Sequence, residues 1–295
     1  MSNGPKPRLS VGVVGVGRVG SALAVALSRA GHPVVAVSGV SDASRRRAAD
    51  RLPSADVLPA DDVVRAADLV LLTVPDDALE AVVQGLADVG AFRRGQFVVH
   101  TSGRHGLDVL GPATRAGALP LALHPVMTFA GGAEDAERLG GTSFGVTAPE
   151  ELRAVGETLV VEMGGEPVFV PEEARVLYHA ALAWGSNYLT TLVTTAADLL
   201  RAAGAERPEL LLAPLLGASL DNALRRGDAA LTGPVSRGDA GTVTAHLAAL
   251  RASAPEVVPA YVALARLTAD RALRDGRLDP LRAEALLDAL AGGTG

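Results

Sequence analysis

Residues 12–20 read GVVGVGRVG, so Gly15, Gly17 and Gly20 stand in the spacing G-x-G-x-x-G. The first glycine permits a tight turn, the second lets backbone approach a pyrophosphate, and the third lets a helix pack closely on a strand. The start of that helix attracts the phosphates. Alone the motif is weak. Here an apolar run (9–14) precedes it, a helix-forming stretch (21–30) follows and stops at Gly31, and a β-branched run (34–37) comes where a second strand is required. Gly15, Gly17 and Gly20, with Arg18 and Val19 between them, are the expected dinucleotide contacts. The plain alternative is a glycine-rich turn that binds nothing.

Sites for NAD carry an acid at the end of the second strand, where it bonds the ribose hydroxyls. That position is Ser38, followed by Ser41 and then Arg45, Arg46 and Arg47. A small hydroxyl residue and nearby arginines suit a 2′-phosphate, so NADPH is the expected cofactor. Asp42 opposes this choice, and three arginines in a row also suit a solvated helix face.

Ligands of open α/β sheets gather beyond the carboxyl ends of the strands. Val74-Pro75-Asp76-Asp77 follows one apolar run; Val74 and Pro75 are expected at the cofactor, and Asp76 or Asp77 as the cap of the next helix. His100-Thr101-Ser102-Gly103 follows another. It either faces the nicotinamide, with Thr101 toward cofactor and Ser102 toward substrate, or is a capped turn.

His32 and His105 read as loop residues, and His100 and His124 as strand ends. His179 lies on a long helical pattern where Arg175, His179, Ser186 and Asn187 fall near one face. A lone histidine on an apolar helix is usually structural, but a polar row in an alanine-rich helix points to a site. His179 is the expected general acid, since imidazole titrates near neutral pH, with Asn187 and Ser102 orienting the substrate. In LTGPVSRGDAGTV (231–243), Arg237 is flanked by small residues and free to grip a carboxylate. The bland reading is a turn before a helix capped by Asp239. With no H-E-x-x-H and no close histidine pair, no metal is expected.

These residues need a scaffold. Short apolar strands alternating with helices predict a parallel sheet covered on both faces, with strands at 9–14, 34–37, 68–74, 97–100, 120–123, 144–147 and 168–170. After Pro171 the pattern is helical, at 172–203, 207–226, 239–250, 254–275 and 280–291. The expected fold is α/β: a Rossmann-type, mostly parallel sheet over 9–171, then an all-α domain over 172–295.

Composition agrees with two globular domains: 295 residues, 48% apolar and 20% charged. The net charge of −6 argues against a nucleic-acid partner. The chain has no cysteine, which excludes disulfides, thiolate nucleophiles and Cys–zinc sites. Its one lysine is Lys6, so no amine in the folded body can serve as acid or base. Residues 1–8 are too short for a signal peptide, and no apolar run reaches the ~20 residues of a membrane span. No membrane partner and a cytoplasmic location are expected.

Taken together, GVGRVG, HTSG, HPVMTF, YHAALAWGSNYL and GPVSRGDAGTV resemble the Rossmann-like family catalogued as domain of unknown function twenty-five-twenty. The resemblance runs from about Leu9 to about Leu290. That family is similar in fold to ketopantoate reductase, pyrroline-5-carboxylate reductase and the β-hydroxyacid dehydrogenases. It implies a helical second domain that makes a homodimer, an active site between the domains, and GPVSRGD approaching the partner subunit's cofactor. It further implies a small-molecule substrate: a 2-oxo acid as in ketopantoate reductases, or a cyclic imine as in pyrroline-5-carboxylate reductase. A non-catalytic dinucleotide sensor is the reading from a different class. The chain departs from the pattern in one respect. The dehydrogenases use a helix lysine as acid, and Arg175 occupies the comparable stretch. Arginine stays protonated, so Arg175 is left to polarise or orient, with either Arg237 or Arg175 holding the carboxylate, and His179 is the better acid candidate.

Overall fold

The computed structural model describes residues 8–292; segments 1–7, with Lys6, and 293–295 lie outside the described residues. The chain divides into two compact units, one ending at Ser186 and one beginning at Asn187. The division falls inside a helix, C-terminal to the change in sequence texture at Pro171.

The first unit is built on eight strands: β1 (Val11–Val14), β2 (Val34–Ser38), β3 (Asp56–Val57), β4 (Leu69–Leu72), β5 (Phe97–His100), β6 (Leu119–Pro125), β7 (Ser143–Thr147) and β8 (Glu166–Phe169). Their order is β3-β2-β1-β4-β5-β6-β7-β8. All neighbours are parallel except β6 and β7. Only a 3-10 turn at Ala133–Asp135 lies between those two strands, so the chain folds back instead of crossing over.

Side chains alternate across the sheet. Val11, Val13, Leu69, Leu71 and Val99 join one core with Leu23 and Leu27 of α1 (Arg18–Arg29) and Leu159 of α6 (Arg153–Glu162). Val14, Val70, Leu72 and Val98 join the other core. There they meet Val63 and Val64 of α3 (Ala60–Ala66), Leu79 and Val83 of α4 (Asp76–Asp88) and Ala113 of α5 (Gly111–Arg115). Continuous apolar strands with helices on both faces are what the sequence predicts. The helix α2 (Asp42–Arg51) follows β2. One correction concerns α4. Its N-cap is Pro75, so Asp76 and Asp77 do not cap it but sit in its first turn, where the helix end favours negative charge.

The long helix α7 (Arg175–Ala202) runs from the first unit into the second. The second unit continues with α8 (Pro208–Arg226), α9 (Pro234–Arg237), α10 (Ala240–Ser253), α11 (Val258–Arg274) and α12 (Pro280–Ala291). Its core is Val243 and Leu247 against Val262, Ala265 and Ala269, closed by Leu286 and Leu290. Asp239 caps α10, accepting from the Thr242 amide at 3.0 Å, as its position in the sequence predicts. Leu192 of α7 and Leu210, Leu211, Leu215 and Leu224 of α8 are exposed. Among the described residues no helix is long and apolar enough to cross a membrane.

Candidate functional site

The glycine loop leaves β1 where the strand order reverses, between β2 and β4. Its three glycines are not equivalent. Gly15 has φ +93°, and a Cβ there would lie 2.9 Å from the Thr73 carbonyl oxygen. At Gly20 a Cβ would collide with Thr73 Oγ1. Both are demanded by the chain itself. At Gly17 the nearest atom to a Cβ is the Gly15 oxygen, at 3.8 Å. That space is left open directly before the start of α1, whose first turn has no acidic residue and no side-chain cap. The loop therefore fits a pyrophosphate. Thr73 Oγ1 donates to Gly15 O at 2.7 Å and braces the turn, a residue the sequence reading passed over as the end of an apolar run. Arg18 is exposed and Val19 packs against the sheet core.

On the ribose side Ser38 ends β2 half-buried, and Ser41 caps α2 by accepting from the Ser44 amide at 3.1 Å. Arg45 donates to Asp42 at 2.6 Å and to the Val40 carbonyl at 3.0 Å. Asp42, read from sequence as a repeller of phosphate, is thus paired with a cation. Arg46 is exposed and Arg47 half-buried.

The HTSG stretch leads from the end of β5 into a turn that the Ser102 side chain caps. His100 is fully buried, and its Nδ1 accepts from the Ser102 amide at 3.2 Å. Its Nε2–H must then donate to Gly106 O, 2.7 Å away. Burial drives its pKa down to about 3, with the Arg175 charge adding to the effect. His100 is neutral, with both nitrogens committed. The Ser102 hydroxyl accepts from the His105 amide at 3.1 Å, while Thr101 is half-buried beside it. Glu172 closes the turn from outside, accepting from the Leu107 amide at 2.7 Å. Val74 is half-buried at the end of the neighbouring strand and Pro75 is exposed.

Arg175 overturns the orienting or carboxylate-holding role that sequence left open for it. Its side chain is fully buried. Nε donates to Thr147 Oγ1 at 2.8 Å, Nη1 to Ser102 O at 3.3 Å, and Nη2 to Ala122 O at 3.0 Å and Gly145 O at 3.2 Å. The guanidinium ties the HTSG turn to β6 and β7, and four of its five N–H donors are spent on the protein.

One helical turn on, His179 is half-buried against His124, the rings edge-to-face with centroids 6.1 Å apart. His124 stands on β6, two residues beyond Ala122, which is level with the end of β5. Tyr178 Oη lies 2.9 Å from His124 Nδ1. Burial, with Arg175 as a second cause, pushes the His124 pKa down to about 4, so that ring is neutral at neutral pH. Gly103 is pressed against both imidazoles: a Cβ there would lie 2.6 Å from His179 Cδ2 and 3.0 Å from His124 Nε2. The first unit thus brings Ser102, Gly103, His124, Tyr178 and His179 together beyond the strand ends. The sequence reading missed Tyr178; its only signal was the adjacency Tyr178-His179. Asn187 and Arg237 belong to the second unit; both are exposed, Arg237 as the last residue of α9.

This sheet order and glycine turn define a Rossmann-like domain, and residues 2–125 match that family model. Residues 142–268 match the model of DUF2520, a domain of unknown function, so the chain joins the two domains that the motifs resemble. No curated protein matches the chain. Among solved structures, a candidate NADP oxidoreductase from Bacteroides fragilis is similar at a TM-score of 0.72 and 22% identity, covering 89% of this chain and 98% of that one. A reductive aminase from Aspergillus terreus, solved with NADPH and ethyl levulinate, gives 0.65 and 21%, covering 96% and 99%. The 1-pyrroline-5-carboxylate reductase of Streptococcus pyogenes gives 0.59 and 19%, covering 90% and 98%. At these identities the likeness is one of fold.

Proposed function

We propose that the chain is an NADPH-dependent oxidoreductase that reduces a small 2-oxo acid of the ketopantoate kind. The observation that carries the reading is the space left open at Gly17 beside a helix start, on the same sheet edge as a half-buried imidazole cluster. When bound, NADPH supplies a hydride to the substrate carbon. Gly15, Gly17 and Gly20 would hold its pyrophosphate with Arg18 and Val19. Ser38, Ser41 and Arg45 would hold the 2′-phosphate, and Val74, Pro75 and Thr101 would border the nicotinamide. His179 gives a proton to the developing oxyanion, Ser102 and Asn187 orient the substrate, and Arg237 grips its carboxylate. A second reading, reduction of a cyclic imine, is favoured by the reductive aminase and pyrroline-5-carboxylate reductase among the similar folds.

Calorimetry tests the first step. NADPH should bind more tightly than NADH, and Ser38→Asp should reverse that order. Gly17→Val should weaken binding at least tenfold, ~1.4 kcal/mol, without unfolding the chain, because a Cβ there meets no protein atom closer than the Gly15 oxygen at 3.8 Å. Absence of NADPH binding would sink the reading. A panel of 2-oxo acids and cyclic imines, followed by loss of NADPH absorbance, then separates the two substrates. Binding without turnover on any of them would leave a dinucleotide sensor.

The same reading includes a homodimer. Seven leucines of α7 and α8 stand exposed in the second unit, Leu189 and Leu220 among them, and apolar surface of that extent calls for a covering partner. A second copy meeting it about a twofold axis is the simplest cover. Light scattering should give twice the 30.0 kDa chain mass, and a monomer at micromolar concentration would remove this part of the proposal.

A further inference from the structure

His124 and Tyr178 have no part in the reaction as set out above, yet they stand against the residue that does. Tyr178 Oη is 2.9 Å from His124 Nδ1. It also lies over Gly145, the residue paired with His124 across β6 and β7, so closely that a Cβ at Gly145 would collide with it. Among the described residues His124 Nε2 has no hydrogen-bond partner and is not buried, since no buried side-chain nitrogen or oxygen lacks one. That nitrogen sits beside Gly103, where only a hydrogen separates backbone from ring, and beside His179.

A neutral imidazole carries one N–H, and its position is set by what the other nitrogen receives. The Tyr178 hydroxyl hydrogen has one described acceptor, His124 Nδ1. If it donates there, the imidazole proton must be on Nε2, the open side. We infer that Tyr178 holds His124 in the Nε2–H tautomer, so that His124 hydrogen-bonds the carbonyl oxygen or imine nitrogen being reduced while His179 supplies the proton. This rests on the reductase reading and adds a second polar group to it. His124 is the catalytic residue of the pair, and Tyr178 a positioning residue that acts through it. Division of labour follows from environment. The titratable and charged groups near His124 are Arg175, Tyr178 and His179 on α7, His100 on β5 and Asp76 at the start of α4. Burial, with Arg175 and His179, disfavours a charge on the ring and outweighs Asp76, which leaves a donor that polarises without taking part in proton exchange.

The first test needs no substrate. Long-range proton–nitrogen NMR of the full chain should show His124 protonated on Nε2 and not titrating near neutral pH. In Tyr178→Phe the Nδ1 resonance should move as its hydrogen bond is lost. Protonation on Nδ1 in the wild type, with the phenol as acceptor, overturns the inference. The second test uses the turnover substrate. His124→Asn should lower kcat by roughly 10²-fold, in the range for loss of one oxyanion donor. Tyr178→Phe should lower it about tenfold, and the double variant should be no slower than His124→Asn alone. NADPH affinity and circular dichroism should be unchanged throughout. Multiplying effects would overturn the pairing, as would single variants with normal kcat. Failure to bind NADPH at all, with the tautomer as stated, would overturn the reductase reading and leave the Tyr178–His124 geometry intact.

Discussion

Replacing His179 with alanine should lower turnover by roughly 10²–10⁴-fold, the range for a positioned acid, while NADPH affinity barely moves. His179 is half-buried on the first turns of α7, with its ring orientation fixed by the edge of His124 and by the backbone of Gly103. The other histidines of the sheet edge are unsuited to the role. His100 is fully buried with both nitrogens engaged, and His124 takes up its second proton only below about pH 4. The contrast variant is Arg237→Ala, which should raise KM if Arg237 grips a carboxylate. Near-normal turnover of His179→Ala on a substrate that the wild type reduces would remove His179 from the chemistry.

Arg175→Met should destabilise the first unit by about 3–5 kcal/mol. Charged donors contribute about 1.5–3 kcal/mol per hydrogen bond, and orphaned buried acceptors cost about 1–3 kcal/mol each. Four hydrogen bonds end on this one side chain. Methionine fills most of the volume, so the loss reports polar groups more than a cavity. Urea unfolding followed by Trp184, the single tryptophan and further along the same helix, reads the effect. A loss under about 1 kcal/mol, the scale of one ordinary hydrogen bond, would mean that water replaces the guanidinium and that it is no clamp.

The parts of the fold legible in sequence are those fixed by local chemistry. Apolar runs located seven of the eight strands, and β3 (Asp56–Val57) escaped because it is two exposed residues long. Gly31, with φ +96°, and Asp239, with its side chain on the Thr242 amide, marked helix ends for the reasons their types suggest. The glycine loop was legible because the motif encodes close approach. What escaped was everything decided by long-range packing. Arg175 reads in sequence as a member of a polar row, but it turns inward to carbonyls on β6, β7 and the HTSG turn. His100 looks like a site residue at a strand end and is a turn lock, because its partners, Gly106 O and the Ser102 amide, are backbone groups that no side-chain pattern reveals. Tyr178 gave no signal beyond its adjacency to His179, since its partner lies 54 residues away on another element.

Those separations also dictate an order of assembly. Arg175 bonds to groups 28, 30, 53 and 73 residues earlier in the chain. Contacts that distant reward the chain only after the intervening loops have closed. The acceptors on β6 and β7 must already be in register, and the turn after β5 in place, before a guanidinium can leave water for them. The first turn of α7 therefore docks last, onto a sheet edge that exists without it. Substitution at position 175 should accordingly speed unfolding more than it slows refolding, the signature of an interaction made after the barrier; the reverse in stopped-flow kinetics would place it in the nucleus. His179 stands one turn beyond that final contact. A chain arrested just short of it would have its glycine loop and its sheet complete, with His179 not yet in place.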